Sequence, residues 1–247
     1  MIRAKLTLLL AITVLMVACN DIPEPNTLSG KEKRQGFELL FDGENTDGWR
    51  GYRKDHFPAE WIVDEGAIRC QASGMGEAGA KEGGDIIFEQ NYSNFHLKLE
   101  WKIAEGGNSG IFYFGREDHE FDEIWQAAPE MQVLDNAKHP DAKLGKDGNR
   151  QSGSLYDIIP ATPQNFKGAG EWNKVEIIHM DGHVRHIMNG ETVVEYHLGT
   201  PEWDEMVAAS KFPKYNPDWA KMPEEGNIGL QDHGDDVWYR NIKIKRL

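Results

Sequence analysis

Two dipeptides, Asp181-Gly182 and Asn189-Gly190, constrain the fold more than any other feature of the chain. Each separates segments in which apolar and polar residues alternate. Asp-Gly and Asn-Gly favour the positive φ angles of two-residue hairpin turns. The pattern therefore predicts a three-stranded antiparallel meander over Val175–Met180, His183–Met188 and Glu191–His197.

Other segments also have the two-residue period of half-buried strands. Phe95–Ile103 alternates without a break, Trp61–Cys70 has the pattern of a hairpin, and Val237–Ile244 is predicted to be a closing strand. Short strands, glycine-rich turns and few helical patterns indicate an all-β domain built as an antiparallel sandwich or barrel.

Two stretches interrupt this pattern. Gly74–Asp85 is glycine-rich and is predicted to be a loop. Thr200–Gly226 is a long insertion with a predicted helical stretch near Pro201–Ser210. Insertions of this length are uncommon in compact domains unless they are functional or disordered, and its aromatic content argues against disorder. We interpret it as a lid or rim element beside a binding site. Its aromatic rings either stack on sugar faces or pack in the core, where tryptophan is found at least as often. These rings are Trp203, Phe212, Tyr215 and Trp219.

The N-terminus has the features of an export signal. Arg3 and Lys5 precede the apolar run Leu6–Ala18, which is too short for a membrane span but suits a signal-peptide core. The run ends directly before Cys19 and resembles a bacterial lipobox. This resemblance implies cleavage before Cys19, lipidation of its thiol and a lipid-anchored location in the cell envelope, on a periplasmic or outer surface. The alternatives are an ordinary secretory signal and an uncleaved anchor.

The predicted organisation is a signal peptide over 1–18, a flexible tether over 19–35 and a single domain over 36–247. The tether is polar, contains two prolines and lacks periodicity. Loss of Arg3 and Lys5 changes the formal net charge from −14 to about −16. Such an acidic protein lacks the basic surface that nucleic-acid binding requires. If Cys19 is lipidated, Cys70 has no disulfide partner.

The segment Pro129–Asn136 contains the most informative polar pattern. On a strand, Glu130 and Gln132 share one face, and a β-bulge would bring Asp135 to the same face. Glu130 and Asp135 would then form a carboxylate pair for acid and base catalysis. The alternative is the exposed polar face of an edge strand. The chain has no zinc-binding Cys pair, HExxH motif, phosphate loop or nucleophile-elbow serine.

The spacing of these residues resembles the E-x-D-x-x-E strand of jelly-roll endoglucanases, with Gln132 in place of the central carboxylate. The wider order of motifs, from about Phe37 to the C-terminus, resembles the bacterial 3-keto-disaccharide hydrolase domain family. The segments that carry this resemblance are Leu40–Gly43, Gly48-Trp49, Glu100–Ile103, Asn108–Ile111, Arg116, Glu130–Asp135, Gly153–Asp157, Gly170–Asn173, Ser210–Phe212, Gly229–Gly234 and Arg240–Ile244.

The resemblance implies a concanavalin A-like jelly roll of two antiparallel sheets. It also implies cleavage of 3-keto-glycosides, either as overall hydrolysis or as 1,2-elimination followed by hydration. An upstream oxidoreductase would be needed to make the 3-keto sugar. Two other functions remain open at this stage, a carbohydrate-binding module without activity and an ordinary glycoside hydrolase with a carboxylate pair.

The candidate catalytic residues are Glu130 and Asp135, as base and acid in either order, and His233. His233 is included because histidine is a common acid and base in catalysis, and the alternative is a structural histidine in a turn. Arg116 is a candidate for binding sugar oxygens, or else for pairing with a carboxylate. The complete set of predicted substrate-binding residues is Arg116, Trp125, Gln132, Tyr156, Asp157, Lys211 and Asp232.

No cofactor follows from the sequence with certainty. Carboxylate, amide and backbone oxygens would suit Ca²⁺. Asp232, His233 and Glu130 would instead suit a transition metal. The spacing of these residues does not choose between the two kinds of ion.

Overall fold

The chain folds into two antiparallel β-sheets. The structure, a computed structural model, describes residues 24–74, 83–118 and 120–247. Within these ranges the strands are β1 (Glu38–Leu39), β2 (Trp49–Gly51), β3 (Trp61–Asp64), β4 (Ala67–Cys70), β5 (Ile86–Tyr92), β6 (Phe95–Ile103), β7 (Asn108–Gly115), β8 (Glu130–Leu134), β9 (Asn173–Met180), β10 (His183–Met188), β11 (Glu191–His197), β12 (Gly226–Leu230) and β13 (Val237–Arg246).

The large sheet has the strand order β11-β10-β9-β6-β13-β4-β3, with β1 also paired to β13. The small sheet has the order β2-β5-β12-β7-β8. Apolar side chains from both sheets meet in one buried cluster between them. The predicted all-β jelly-roll sandwich of two antiparallel sheets is therefore confirmed.

The predicted meander forms β9, β10 and β11. Asp181 and Gly182 have φ angles of 50° and 86°, and Asn189 and Gly190 have φ angles of 51° and 89°. These are the positive values that favour Asp-Gly and Asn-Gly in hairpin turns. The predicted Phe95–Ile103 strand is β6, and the predicted hairpin over Trp61–Cys70 consists of β3 and β4.

A buried hydrogen-bond chain joins the two sheets. Tyr113 of β7 contacts His186 of β10 and Tyr196 of β11, with distances of 2.8 Å from its hydroxyl to His186 Nε2 and 2.6 Å to the Tyr196 hydroxyl. His186 Nδ1 lies 3.1 Å from the carbonyl oxygen of Gly153, which can only accept. Nδ1 therefore carries the ring proton, and Nε2 accepts from Tyr113.

The N-terminal part differs from the predicted flexible tether over residues 24–35. Gly30–Arg34 forms helix α1, which begins with a capping box between Ser29 and Glu32. Glu32 also pairs with Lys243 of β13 at 2.8 Å. Asn26 is buried, and its Nδ2 donates to the carbonyl oxygen of Gly66 at 2.8 Å. These contacts hold the segment against the large sheet, so the ordered part begins before Gly36.

The predicted signal peptide and Cys19 lie outside the described residues, as does most of the predicted Gly74–Asp85 loop. In the described part of the chain, no helix is long and apolar enough to cross a membrane. Cys70 is buried, and burial raises the pKa of its thiol.

The insertion contains helix α2 (Pro201–Ala208), as predicted, and a 3₁₀ helix at Phe212–Lys214. Of the two roles left open for its aromatic rings, the structure shows core packing for Trp203, Phe212 and Trp219, which are buried in the main core. Phe212 stacks on Trp219 with ring centroids 4.1 Å apart. Only Tyr215, among the four predicted rings, is largely exposed. The burial of the other three rings anchors the insertion to the sandwich.

The buried His186 makes stability depend on pH. Burial lowers its pKa from 6.5 to about 4, so the unfolded chain binds a proton in a pH range where the folded chain does not. The stability contributed by the neutral ring is complete above about pH 6.5 and is lost as the pH falls toward 4. We expect this to cost about 2–3 kcal/mol between pH 7.5 and 4.5.

The measurement is urea unfolding at both pH values for the wild type and for His186→Gln. The variant should be less stable than the wild type at pH 7.5. Between pH 7.5 and 4.5, its free energy of unfolding should fall by about 2–3 kcal/mol less than that of the wild type. An equal loss in both proteins would contradict the assignment.

Candidate active site

The outer face of the small sheet, turned away from the large sheet, carries the predicted Glu130 and Gln132. Alternation along β8 puts Met131 and Val133 in the main core and the two polar side chains on the opposite face. β8 is the edge strand, and its register with β7 is regular from Asn108 to Phe112.

Glu130 is only 4% exposed. Its carboxylate lies over Gly110 of β7, where an added Cβ would come within 2.6 Å of the glutamate Cδ. Any residue larger than glycine at position 110 would therefore displace this carboxylate. Gly110 gives Glu130 its position on the sheet.

The free edge of β8 is covered by the segment 153–156. The backbone N–H of Gln132 donates to the backbone carbonyl of Ser154 at 3.0 Å, and the backbone N–H of Tyr156 donates to that of Glu130 at 3.0 Å. This pairing removes an exposed strand edge and brings Tyr156 next to Glu130. Burial raises the pKa of Tyr156, and the nearby negative charges of Glu130 and Asp141 raise it further. Tyr156 is therefore a neutral hydrogen-bonding group at neutral pH.

Arg150 organises the segment that follows β8. Its Nε donates to Asp157 Oδ1 at 2.6 Å, and its Nη1 donates to Asp141 Oδ1 at 2.8 Å. The Tyr156 hydroxyl donates to the other Asp141 oxygen at 2.8 Å. Asp157 has a φ of 60°, an uncommon conformation for a non-glycine residue. Arg150 and Asp141 thus fix Tyr156 and Asp157.

Lys211 joins the insertion to this region. Its Nζ lies 4.5 Å from the ring centroid of Tyr156 and 5.0 Å from that of Trp125, distances that suit cation–π contacts. Its backbone amide donates to Asp157 Oδ2 at 2.8 Å. The predicted Trp125, Tyr156, Asp157 and Lys211 thus lie together, and with Arg150 they form what we call the Lys211 cluster. Trp125 also packs against a small apolar cluster that contains Ile124 and Phe112.

The structure places Asp135 differently from the predicted carboxylate pair. The register of β7 with β8 shows no bulge, so alternation leaves Asp135 on the face opposite Glu130. Its two oxygens accept the backbone N–H groups of Gly106 at 2.8 Å and Ala137 at 3.0 Å. Asp135 therefore holds the turns at the end of β8.

Asp232 also has a backbone role. Its oxygens accept the N–H groups of Gly84 at 2.7 Å and Gly234 at 2.9 Å. These bonds fix the loop that carries His233. They do not favour the predicted set of Asp232, His233 and Glu130 as metal ligands.

His233 instead lies beside two residues that the sequence did not single out, His139 and Asp235. One candidate ligand atom from each of the three residues lies within 4.8 Å of the others. Burial lowers the pKa of His139, and the nearby His233 lowers it further. Burial raises the pKa of Asp235. We call these residues the His–Asp cluster.

Arg116 follows β7 at the end opposite Asn108. Its Nε is 2.8 Å from Asp118 Oδ2, and its guanidinium lies 5.7 Å from the Phe121 ring centroid. The structure therefore places it in the carboxylate pairing that the sequence left open as its alternative role. It lines a cavity of about 420 Å³ together with Asn216 and Asp218.

The outer face of β7 connects these groups. Asn108, Gly110 and Phe112 alternate with core residues and lie on one face, with about 7 Å between each residue and the next of the three. The backbone N–H of Asn108 donates to Asp235 Oδ2 at 3.0 Å, and Gly110 lies under Glu130. Phe112 belongs to the apolar cluster against which Trp125 packs. A buried carboxylate thus lies between the two histidines and the cationic, aromatic Lys211 cluster. This arrangement can move a proton and hold a polar ring.

Comparison with known proteins shows the family. Residues 36–245 match the model of the 3-keto-α-glucoside-1,2-lyase-like domain. The chain belongs to this family. It is 50% identical over 230 residues to a 3-keto-disaccharide hydrolase of Bacteroides thetaiotaomicron, across 86% of this chain and 79% of that protein. The resemblance found in the sequence is therefore confirmed for the family, whose members include carbohydrate-cleaving enzymes.

Solved structures give the same result for the fold. One crystal structure from Parabacteroides distasonis, provisionally assigned as a glycosyl hydrolase, superposes with a TM-score of 0.80 at 29% identity, covering 91% of this chain and all of that one. A second from the same organism has a TM-score of 0.63 at 25% identity, covering 85% and 99% of the two chains. The 3-keto-α-glucoside-1,2-lyase-like domain thus spans the β-sandwich described above.

Arg150 and Asp141 were not found from the sequence, because arginines and aspartates between strands are most often exposed. The sequence gives no period or motif that separates Arg150 from its neighbours in the run Lys146–Ser152. His139 was missed for a similar reason. It lies before Pro140 in a loop, far along the chain from His233.

The Arg150 ion pairs should stabilise the region around the Lys211 cluster. Arg150→Met leaves Asp141 and Asp157, both mostly buried, without their cation. We expect the free energy of unfolding to fall by about 3 kcal/mol in urea titrations at pH 7. The control is Arg53→Met, because Arg53 pairs with an Asp122 side chain that is 93% exposed. That change should cost less than about 1 kcal/mol, and equal losses would contradict the structural role of Arg150.

Proposed function

We propose that this protein cleaves 3-keto-glycosides, with Glu130 as the base that removes the C2 proton. The observation that carries the proposal is the buried Glu130 carboxylate over Gly110, on the same sheet face as a cluster able to bind sugar. Family membership and the 50% identical 3-keto-disaccharide hydrolase support the substrate class.

The proposed reaction begins with elimination. A ketone at C3 makes the C2 proton acidic, so a carboxylate can remove it. The C2–H bond breaks, the C1=C2 bond forms and the C1–O bond to the aglycone breaks. The departing oxygen takes a proton from water. Glu130 holds the proton from C2 at the end of this step.

Hydration then completes the cleavage. The hydroxide left by the water adds to C1. Glu130 exchanges its proton with solvent and then delivers a solvent-derived proton to C2. The sum of the two steps is hydrolysis of the glycoside to a 3-keto sugar and an alcohol. Glu130 is regenerated as a carboxylate, so one residue serves as base and then as acid.

The Lys211 cluster has the chemistry of a sugar subsite. The side chains of Tyr156 and Lys211 offer hydrogen bonds, and Trp125 offers an apolar ring face. Tyr215 packs edge-on against Trp125 with centroids 4.8 Å apart and is largely exposed. In our proposal these groups bind the sugar and its aglycone, whereas Asp157 acts by holding Lys211 in place.

We further propose that the protein acts in the cell envelope as a lipoprotein anchored through Cys19. The lipobox-like run before Cys19 supports this location. The 3-keto substrate would then come from an oxidoreductase that oxidises the C3 hydroxyl of an ordinary glycoside.

The test compares a 3-keto-disaccharide with its unoxidised parent, for the wild type, Glu130→Gln and Glu100→Gln. Products are followed by mass spectrometry. We expect the wild type to cleave only the keto sugar and Glu130→Gln to lose about 10²–10⁴-fold in kcat/KM, because the amide cannot accept the C2 proton. Glu100 is also buried but lies on the large sheet with Arg240, so its variant should retain activity once folded.

Full activity of a folded Glu130→Gln would contradict the role of Glu130. Cleavage of the parent sugar would favour an ordinary glycoside hydrolase. Binding of either sugar without cleavage by the wild type would favour a carbohydrate-binding module.

A further inference from the structure

The His–Asp cluster has the composition of a metal site. Two imidazoles and one carboxylate, with one candidate ligand atom each within 4.8 Å of the others, form a recurrent ligand set for divalent transition metals. His139, His233 and Asp235 are each partly exposed, so an ion can reach them from solvent. They come from two loops that meet at one end of the small sheet.

Asn108, whose backbone contacts Asp235, has a side-chain oxygen that supports a bound ion. Asn108 is 5% exposed, and its side-chain Oδ1 is buried without a hydrogen-bond partner among the described residues. The Asn108 backbone amide donates to Asp235 Oδ2 at 3.0 Å, which joins this residue to the cluster. A buried carbonyl oxygen without a donor is costly in free energy, and a cation would satisfy it.

Hydrogen bonds orient two of the three side chains, Asp235 and His139. The backbone N–H of Asn108 donates to Asp235 Oδ2, and this hydrogen bond orients the carboxylate. The His139 and His233 rings are nearly perpendicular, with centroids 6.0 Å apart. His139 Nδ1 accepts the Asp141 amide at 3.2 Å. His139 caps a short 3₁₀ helix, Pro140–Lys143, through this bond. Coordination of an ion by the neutral His139 ring would break it.

We propose that His139, His233 and Asp235, with Asn108, bind a divalent first-row transition metal ion. The two imidazoles disfavour Ca²⁺, which prefers a shell of oxygen ligands. Asp232 and Glu130 are not in this set, in contrast to the set expected from the sequence.

The position of the site suggests a task, and this step rests on the proposed function. Asn108 is one strand period, about 7 Å, from Gly110 and hence from the Glu130 carboxylate. One sugar ring can bridge the two, with its C2 proton toward Glu130 and its C3 oxygen toward the ion. A cation at that oxygen would stabilise the negative charge that develops on it as the C2 proton leaves.

The test measures binding without substrate. The protein is stripped with a chelator, and Co²⁺ is added while visible absorption and bound metal are recorded. We expect one Co²⁺ per chain with ligand-field bands. His139→Ala, His233→Ala and Asp235→Asn should each weaken binding by more than about 100-fold, because each removes or weakens a direct ligand.

The matched control is His183→Ala. His183 stacks on His197 with centroids 4.4 Å apart and contacts Glu195, so it belongs to another histidine pair beside a carboxylate. Its loss should not change Co²⁺ binding. Circular dichroism identifies any variant that fails to fold, and Asp235→Asn changes only one polar atom.

No stoichiometric binding, or binding unchanged in all three folded variants, would overturn the proposal. Loss of binding in His183→Ala would do so as well. Binding without cleavage of the keto sugar would leave the metal site intact and contradict the proposed function. Full cleavage by a stripped protein that binds no Co²⁺ would contradict the metal site and leave the proposed function intact.

Discussion

The alternation of side chains along β7 is the constraint on which the rest of the structure depends. One face of this strand packs into the core, where Tyr113 joins the small sheet to His186 and Tyr196 of the large sheet. The other face presents Asn108, Gly110 and Phe112 in a row. A shift of register by one residue would exchange the two faces and remove both the core contact and the site.

Packing and chemistry are coupled at the edge of the small sheet. The segment after β8 pairs with that strand, which satisfies backbone groups and also carries Tyr156 to Glu130. Arg150 then ties this segment to Asp141 and Asp157, and Asp157 holds the Lys211 amide. The insertion is anchored by Trp203 and Trp219 in the core, so Lys211 extends from a fixed base. Each contact that positions the proposed sugar subsite thus also stabilises the fold.

Much of the fold could be predicted from the sequence, because it follows from local rules. The turn dipeptides of the meander and the alternation in β6 each depend on neighbouring residues, and the predicted bounds of β6, β10 and β11 agree with the structure. The spatial grouping of the candidate residues was predicted in part. Trp125, Tyr156, Asp157 and Lys211 meet, but the partners that fix them come from distant loops. Nothing in the local sequence shows that Arg150 bridges two aspartates, that His139 meets His233 or that Asp135 caps turns.

The central claim is that Glu130 exchanges a proton with C2 of a 3-keto sugar, and deuterium labelling tests it most directly. The protein would cleave a 3-keto-disaccharide in D₂O, and the position of deuterium in the product would be read by NMR. A control with Glu130→Gln and the isolated 3-keto product measures exchange without the base. Elimination and hydration predict deuterium at C2 in the first product formed. Cleavage that leaves hydrogen at C2 would contradict the account and indicate direct displacement at C1.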